Sequence, residues 1–189
     1  MALKPLDAQI SNPSEEGPSF SLSNRIERAL WIVTWGLLAS WTPPPMRPWR
    51  RFIIRCFGAK LGVGCDVRGG ARVWYPPHLQ MGDRSVLASK VTCYNMAPIH
   101  IGADVIVSQG AHLCAGSHDI SSPVFQLTTR PITIGDKAWI AAEAFVGPGV
   151  EVGEGAVLGA RGVTFRSLDP WTVYAGNPAQ RIKQRVMRR

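Results

Sequence analysis

The sequence predicts an all-β fold, a three-sided coil of short parallel strands that follows an N-terminal helical segment. The first observation is a period of six between Leu61 and Arg166, where an aliphatic residue followed by a small one returns at every sixth position. Such a period fits neither the 3.6 residues of a helical turn nor the alternation of an ordinary strand. It is typical of a repeat protein, in which each unit packs against its neighbours. Three hexads make one turn of the coil.

The second observation is the chemistry inside each hexad. The first and fifth residues are mostly apolar or small, as in LGVGCD from Leu61, IGADVI from Ile101 and IGDKAW from Ile134. We expect these residues to point inward and the glycine or small polar residues between them to turn the corner, since a positive φ is least costly for glycine. Successive turns then stack about 4.8 Å apart, and the backbone donors of one turn bond to the next.

Length and composition bound the class of protein. A chain of 189 residues with 46% apolar and 18% charged residues fits one globular domain. Its cysteines are too far apart for a CxxC zinc site, and we interpret them as reduced, packed thiols. The polar start, rich in Pro and Ser, does not resemble a signal peptide, so we expect a cytoplasmic protein. The four cysteines are Cys56, Cys65, Cys93 and Cys114.

The N-terminal part of the chain predicts a helix. The predicted division is a disordered segment at 1–22, a helical segment at 23–58, and the coil domain with its C-terminal tail at 59–189. Asn24 and Glu27 resemble a capping pair, so the helix is expected from Asn24 to about Trp41, where three prolines follow. It is apolar nearly all round but shorter than the ~20 residues that cross a bilayer.

Two interpretations of this helix stay open. It caps the open end of the coil or packs in an oligomer, or it lies against the inner face of a membrane as a peripheral contact through Asn24 to Trp41. The second is favoured by its tryptophans and by the arginines that follow it.

Two irregularities interrupt the repeat. Between the first and second turns, and between the second and third, consecutive hexads begin two residues further apart than elsewhere. These insertions, around Pro76-Pro77 and Pro98, predict small bulges at corners. The larger interruption begins after His118 and ends at Ile134, so residues 119–133 are expected to leave the coil as a loop. A loop of this length in a regular array is usually functional.

The net charge of +8 is concentrated at both ends of the coil. Arginines between Arg47 and Arg55 lead into it, and a basic tail from Arg181 onward ends the chain. These charges are interpreted as solvated ends, as ligands of an anionic cofactor phosphate, or as contacts to anionic lipid. Nucleic acid is not an expected partner, because no groove-reading helix or aromatic strand platform accompanies the charge.

His118 is the candidate for chemistry. It lies in the sequence Gly116-Ser117-His118-Asp119, at the last repeat position before the predicted loop. A histidine held by a rigid coil on one side and covered by a loop on the other suits a general base. With a reference pKa of ~6.5, a neutral imidazole is available at pH 7.

Four segments resemble the hexapeptide-repeat acyltransferases, and within them the sugar and exopolysaccharide O-acetyltransferases, above all those of colanic acid biosynthesis. The resemblance covers roughly Leu61 to Ile182. It implies a left-handed parallel β-helix, a homotrimer with active sites between neighbouring prisms, acetyl-CoA as co-substrate, no metal, and a sugar or glycan precursor as acceptor. The matching segments are Ser108–Asp119, Pro131–Ile140, Ala141–Gly149 and Tyr174–Ala179.

The resemblance also implies roles for residues. His118 matches the catalytic histidine, which takes the proton of an acceptor hydroxyl as its oxygen attacks the thioester directly. The backbone N–H of Ala142 matches a thioester contact. Phe165 departs from the family pattern at a position that is usually polar. The acceptor-binding residues implied are Tyr94, Asn95 and Asp119. The cofactor-binding residues implied are Trp139, Ala141, Ala142, Gly159, Ala160, Arg166, Arg181 and Lys183.

Alternative functions remain at this stage. A metal site like that of the γ-carbonic anhydrases would use His78, His112 and His118 across a subunit boundary. Cys114 could act as an acyl nucleophile. The chain could also be a non-catalytic trimeric scaffold, or could acetylate an amine rather than a hydroxyl. Neither the acceptor nor the acyl group follows from the residues themselves.

Overall fold

The computed structural model describes residues 20–123 and 125–187 of the chain. It shows the predicted left-handed parallel β-helix, with helices at its N-terminal end. The disorder expected for residues 1–22 concerns mainly residues 1–19, which lie outside the described residues. Among the described residues, no helix is long and apolar enough to cross a membrane.

The helices and strands are short, because each strand spans only one side of the prism. The helices are α1 (Leu22–Leu38) and α2 (Arg47–Cys56), with 3₁₀ turns at Pro44–Met46 and Pro76–His78. The strands are β1 (Lys60–Leu61), β2 (Asp66–Val67), β3 (Arg72–Val73), β4 (Leu79–Met81), β5 (Val86–Leu87), β6 (Thr92–Tyr94), β7 (Ile99–Ile101), β8 (Ile106–Val107), β9 (His112–Cys114), β10 (Gly116–His118), β11 (Leu127–Thr129), β12 (Ile132–Ile134), β13 (Trp139–Ile140), β14 (Phe145–Val146), β15 (Glu151–Val152), β16 (Val157–Leu158), β17 (Val163–Thr164), β18 (Thr172–Ala175) and β19 (Gln180–Gln184).

Three sheets form the sides of the prism. Side A has the order β1-β4-β7-β12-β15, side B has β2-β5-β8-β13-β16-β18-β19, and side C has β3-β6-β9-β14-β17. All pairings within them are parallel except that of β19, which returns antiparallel to β18. Lys60 pairs with Gln80, whereas Thr133 pairs with Glu151, so the early turns are longer by the two residues that the proline insertions predicted.

The core runs along the axis of the prism. The first hexad residues, such as Leu61, Ile101 and Ile134, are buried, and so are fifth residues such as Cys65 and Val105, which confirms the predicted inward positions. The described cysteines form no disulfide. Burial raises the pKa of the Cys93 thiol to about 12, so it is a neutral packing group.

The corners differ in part from the expectation. The fourth hexad residue has a positive φ, as in Gly110 (71°), but this position also holds Arg84 (57°), Asp104 (57°) and Glu143 (58°). The left-handed conformation is unfavourable for these charged residues. Exposed ion pairs between turns, such as that of Arg84 Nε with Asp104 Oδ1 at 2.6 Å, offset only a small part of this cost. Glycine is required instead at second positions: a Cβ on Gly82 would lie 2.6 Å from the next turn's backbone nitrogen.

Helix α1 begins two residues earlier than predicted. Its N-cap is Ser21, whose Oγ accepts a hydrogen bond from the Asn24 N–H at 3.3 Å, so the expectation that Asn24 caps the helix was wrong. The Asn24 side chain is buried and accepts from Arg28 Nε at 2.9 Å. The helix ends at Leu38, because the Ser40 N–H turns back to the Trp35 carbonyl at 2.8 Å.

The two helices cap the open end of the coil. Neighbouring turns bond to each other in both directions, as in the Gly62 N–H to Met81 O and the Arg84 N–H to Val63 O, but no turn precedes the first one, so those of its carbonyls that face away from the second turn have no coil donor. Side chains of the helices supply the donors. Trp31 Nε1 donates to Val73 O at 2.7 Å and Trp35 Nε1 donates to Ala71 O at 3.1 Å. This confirms the capping interpretation of the N-terminal helix.

Helix α2 completes the cap through buried Arg50. Its Nε donates to Val67 O at 2.9 Å, and its Nη2 forms an ion pair with Asp66 at 3.1 Å. Arg51 and Arg55 donate to the carbonyls of Gly62 and Leu61, respectively. Buried backbone acceptors without donors are costly, so these contacts explain why an arginine-rich helix precedes the first strand.

Candidate active site

The predicted loop is a β-hairpin that projects from the corner between sides C and A. Strands β10 and β11 pair antiparallel, with His118 opposite Leu127. The chain leaves the coil at Gly116, three residues earlier than expected, and β12 rejoins side A at Ile132, two residues earlier than expected. The hairpin starts early because the Ala115 carbonyl accepts from the Arg130 N–H at 3.0 Å and closes its base. His118 therefore stands on the hairpin rather than on the coil.

The hairpin orients the exposed imidazole of His118. Its Nδ1 lies 2.8 Å from the carbonyl oxygen of Phe125. Since a carbonyl only accepts, Nδ1 carries the hydrogen and the lone pair is on Nε2. The Phe125 ring stacks on the imidazole, with centroids 4.7 Å apart and planes 18° apart. The imidazole thus has the tautomer that a general base requires.

Phe125 was not predicted as a site residue. It acts through its main-chain carbonyl, which any residue type possesses, and its φ of 51° is unusual for a phenylalanine. A hairpin register, not a side-chain pattern, brings it to His118. The printed sequence carries no signal for this contact.

Asp119 shapes the tip of the hairpin. Its Oδ1 accepts from the Ser121 N–H at 2.9 Å, and its own N–H donates to Gln126 O at 2.8 Å. The residue is exposed, so its second carboxylate oxygen faces outward. This places a carboxylate next to His118 in sequence, at the mouth of the hairpin.

The two predicted acceptor residues on and after β6 have different environments. Asn95 is fully buried, and its amide bridges the backbone of Tyr75, accepting from N at 3.0 Å and donating to O at 2.7 Å. Its polar atoms are used by the coil corner, so an acceptor-binding role for Asn95 does not fit this geometry. Tyr94 is half-buried and packs edge-on against Trp74 at 5.8 Å. Burial raises the pKa of its hydroxyl, which therefore stays protonated.

Tyr94 lines a cleft that has a volume of 470 Å³ and lies between α1 and side C. Its walls are mainly aromatic and aliphatic, and Arg28 and Arg72 also line it. Arg28 lies 4.4 Å above the Trp74 ring. The Tyr94 ring also approaches the base of the hairpin, since a Cβ on Gly116 would lie 3.4 Å from it.

Most of the predicted cofactor residues follow one another along the corner between sides B and C. Trp139 is 43% exposed on β13, where its Nε1 donates to Ser108 Oγ at 2.9 Å. Ala141 is buried, whereas Ala142 is half-buried and its carbonyl accepts from the Arg161 N–H at 2.9 Å. One turn further, at the same corner, lie Gly159, which has no side chain, and Ala160, which has only a methyl group. The N–H of Ala142 meets no acceptor within the described part of the chain.

The three predicted phosphate ligands lie at the C-terminal end of the prism. Arg166 lines a cavity of 220 Å³ together with the Asn177-Pro178 turn's Pro178 and with Gln180. Arg181 follows Gln180 on β19, where it pairs with Tyr174, and Lys183 pairs with Val173. All three cations are exposed. The folded-back tail therefore brings its positive charge to the end where Arg166 stands.

The departure from the family pattern at Phe165 has a packing role. Its ring is 66% exposed, covers Gly147 and lies 5.4 Å from the Phe145 ring. The hydroxyl of Thr164 bonds to the backbone of Arg166 instead, donating to its carbonyl at 2.6 Å. This bond holds the corner that carries Arg166.

Within one chain, the described histidines and cysteines are not brought together as metal ligands. His112 packs on the Phe145 ring and its buried Nε2 has no partner in the described structure, so burial lowers its pKa. His78 bonds through Nδ1 to Met96 O at 3.1 Å in the 3₁₀ turn. No three His, Cys, Asp or Glu side chains between residues 20 and 187, leaving out residue 124, converge as metal ligands. Cys114 Sγ bonds to Gly116 O at 3.2 Å.

The sequence and the fold were compared with those of known proteins. No protein-family model matches the sequence. The chain is 40% identical over 167 residues, 88% of its length, to WcaF of Escherichia coli strain K12, which is named as a colanic acid biosynthesis acetyltransferase, and these residues cover 92% of that protein.

Solved structures share the fold. A hexapeptide-repeat acetyltransferase of Vibrio cholerae in complex with acetyl coenzyme A superposes with a TM-score of 0.79 at 20% identity, covering 92% of this chain and 98% of that one. A maltose O-acetyltransferase of Clostridium difficile 630 superposes with a TM-score of 0.75 at 21% identity, covering 88% and 90%. From the repeat, the fold and the identity to WcaF, the chain belongs to the hexapeptide-repeat acetyltransferases.

Proposed function

We propose that this protein transfers the acetyl group of acetyl-CoA to a hydroxyl of a sugar, with His118 as the general base. The observation that carries the proposal is the contact of Nδ1 with the Phe125 carbonyl at 2.8 Å, which leaves the lone pair on Nε2. A base of this kind serves direct transfer, without an acyl-enzyme.

In the proposed reaction His118 Nε2 removes the hydroxyl proton as the acceptor oxygen bonds to the thioester carbonyl carbon. The N–H of Ala142, which meets no acceptor within the described residues, is available to the oxyanion that forms. When the carbon–sulfur bond breaks, the imidazolium returns its proton to the sulfur. The histidine is neutral again, and CoA leaves as a thiol.

We propose that the active site is shared between neighbouring subunits of a homotrimer. His118 projects from the corner between sides C and A, whereas Trp139, Ala142 and Gly159 lie on side B and the corner that follows it. A second prism packed beside the hairpin would bring its side-B corner to the histidine. Closed symmetric assemblies of this kind are common among homo-oligomers.

The acceptor is proposed to be a sugar unit of an exopolysaccharide or another cell-surface glycan. The support is the identity to WcaF over nearly the whole of both chains. Within the structure, Tyr94 with its protonated hydroxyl and Asp119 with its outward carboxylate oxygen are available for hydrogen bonds to a sugar.

The test is product analysis by mass spectrometry, with acetyl-CoA and a panel of glycan precursors bearing hydroxyl or amino groups. We expect a mass increase of one acetyl group on a hydroxyl-bearing sugar. His118→Ala should lower kcat by about 10²–10⁴ with little change in CoA affinity, because the imidazole acts on the acceptor proton. His100→Ala, at an exposed histidine on side A, is the matched control and should retain wild-type turnover.

Product on an amino group only would replace O-transfer by N-transfer. Full turnover by His118→Ala would remove the histidine from the mechanism, and failure of the wild type to bind acetyl-CoA would contradict the proposed function as a whole.

A further inference from the structure

Helix α1 has two apolar faces, of which the coil covers only one. Trp31 and Trp35 face inward and are buried. On the opposite side an outer stripe at three- and four-residue spacing remains exposed, each side chain by between 51% and 68%. The outer stripe consists of Leu22, Ile26, Leu30, Val33 and Leu37. Capping the coil explains the inner face but not this one.

Exposed aromatic rings extend the outer stripe beyond the end of α1. Trp49 donates its Nε1–H to Leu38 O at 2.8 Å, which ties α2 to the end of α1, and its ring stacks on Phe52 at 5.9 Å. Trp41 is 69% exposed and Phe52 is 59% exposed. Contiguous apolar surface of this kind on a folded domain marks an interaction site.

The positive charge of the cap indicates the chemistry of the surface that it attracts. Residues 20–58 contain six arginines and one glutamate. The guanidinium groups of Arg25 and Arg47 are exposed and form no ion pair with any described carboxylate. A second copy of this chain carries a net charge of +8, so bringing one onto the cap opposes like charges. An anionic surface is attracted instead.

We propose that the cap is a docking surface for an anionic lipid bilayer. The outer stripe lies in the interfacial plane with its aliphatic side chains among the acyl chains, as an amphipathic helix does. Trp41 and Trp49 lie at the level of the headgroups, which tryptophan favours. Arg25 and Arg47 contact lipid phosphates. The coil then stands on the membrane through its capped end, and this inference does not depend on the acetyl transfer proposed above.

Flotation of the full-length protein with vesicles tests the proposal. We expect it to float with phosphatidylglycerol–phosphatidylcholine vesicles, less with phosphatidylcholine alone, and less as salt is added. The double substitution Ile26→Glu/Val33→Glu should lower binding by roughly a hundredfold or more. Arg25→Ser/Arg47→Ser should lower it by about fivefold per arginine, on anionic vesicles only.

A matched control adds the same charge away from the cap. Ile182→Glu/Val186→Glu changes two side chains of the C-terminal tail that are 59% and 81% exposed, and it should float like the wild type. Melting temperature and molar mass by light scattering are measured for every variant, so that loss of folding or assembly is seen separately.

Absence of flotation by the wild type, or equal flotation of Ile26→Glu/Val33→Glu, overturns the proposal. If that variant instead lowers the molar mass while the wild type does not float, the outer stripe is a contact between copies of the chain, which also overturns it.

Discussion

Trp31 donates its indole N–H to the carbonyl of Val73 at 2.7 Å, across 42 positions of sequence, and thereby supplies a donor that no preceding turn of the coil can provide. The same logic applies to Trp35 and Arg50, which bond to other first-turn carbonyls. The helical cap is thus part of the hydrogen-bonding scheme of the β-helix, and we expect the stability of the coil to depend on it.

We predict that Trp31→Phe lowers the free energy of unfolding by about 1–3 kcal/mol. The ring is retained, but a buried acceptor is left without its donor. Urea denaturation measures the change. The control is Trp41→Phe, since the Trp41 indole is exposed and bonds locally to Leu37 O, and its effect should be within about 0.5 kcal/mol. Equal effects of the two substitutions would show that the Val73 contact does not stabilise the fold.

A second prediction concerns the shared active site. His118→Ala lacks the base, and Ala142→Pro lacks the N–H proposed for the oxyanion, so each homotrimer should be nearly inactive. When the two are unfolded together and refolded as mixed trimers, roughly a quarter of the sites receive His118 from one chain and Ala142 from its neighbour. Acetyl transfer by the mixture should recover to about that fraction.

A site built within one chain would give no recovery on mixing, which is the contradicting result. Light scattering and melting temperature establish that Ala142→Pro still folds and assembles. If it does not, Ala160→Trp takes its place, because Ala160 is exposed at the same corner and a large ring there obstructs the cofactor without removing a backbone bond.

A third prediction concerns the phosphates of CoA. Arg166→Ala or Arg181→Ala should raise the KM for acetyl-CoA roughly ten- to hundredfold with little change in kcat, because a charge-assisted contact contributes about 1.5–3 kcal/mol. On the wild type, the KM for dephospho-acetyl-CoA should exceed that for acetyl-CoA by a similar factor. On the variant that lacks the 3′-phosphate contact, the two KM values should be nearly equal.

The control for this comparison is Arg84→Ala, at an exposed arginine of an early turn that pairs with Asp104. It should leave KM unchanged. If both tail variants still discriminate acetyl-CoA from its dephospho form as the wild type does, the basic tail is a solvated end.

A fourth prediction concerns pH. Burial lowers the folded-state pKa of His112 below its usual 6.5, so the unfolded chain binds more protons than the folded one as pH falls through that value. Stability should therefore be greatest above pH ~6.5 and decline on acidification. In His112→Gln the loss of melting temperature between pH 7.5 and 5.5 should be smaller than in the wild type. An unchanged loss would assign the acid sensitivity to other groups, His78 among them.

The sequence by itself determined the coil and most of its dimensions. The inward positions, such as Leu61 and Cys65, are set by local sequence, because every hexad must bury its first and fifth residues and turn a corner. The period, these inward positions and the two-residue insertions could therefore be predicted. The resemblance of the segment around His118 to a known family also indicated the acetyltransferase function without any coordinates.

Only the tertiary structure decided the features that join distant parts of the chain. The bonds of Trp31 and Arg50 to first-turn carbonyls, the hairpin that holds His118, and the Phe125 carbonyl beside it involve main-chain groups that every residue possesses. Asn95 shows the converse, since the family resemblance implied an acceptor ligand while the fold buries its amide against the backbone of Tyr75. Which backbone group meets which side chain depends on how the turns stack, and the pattern of residue types does not carry that information.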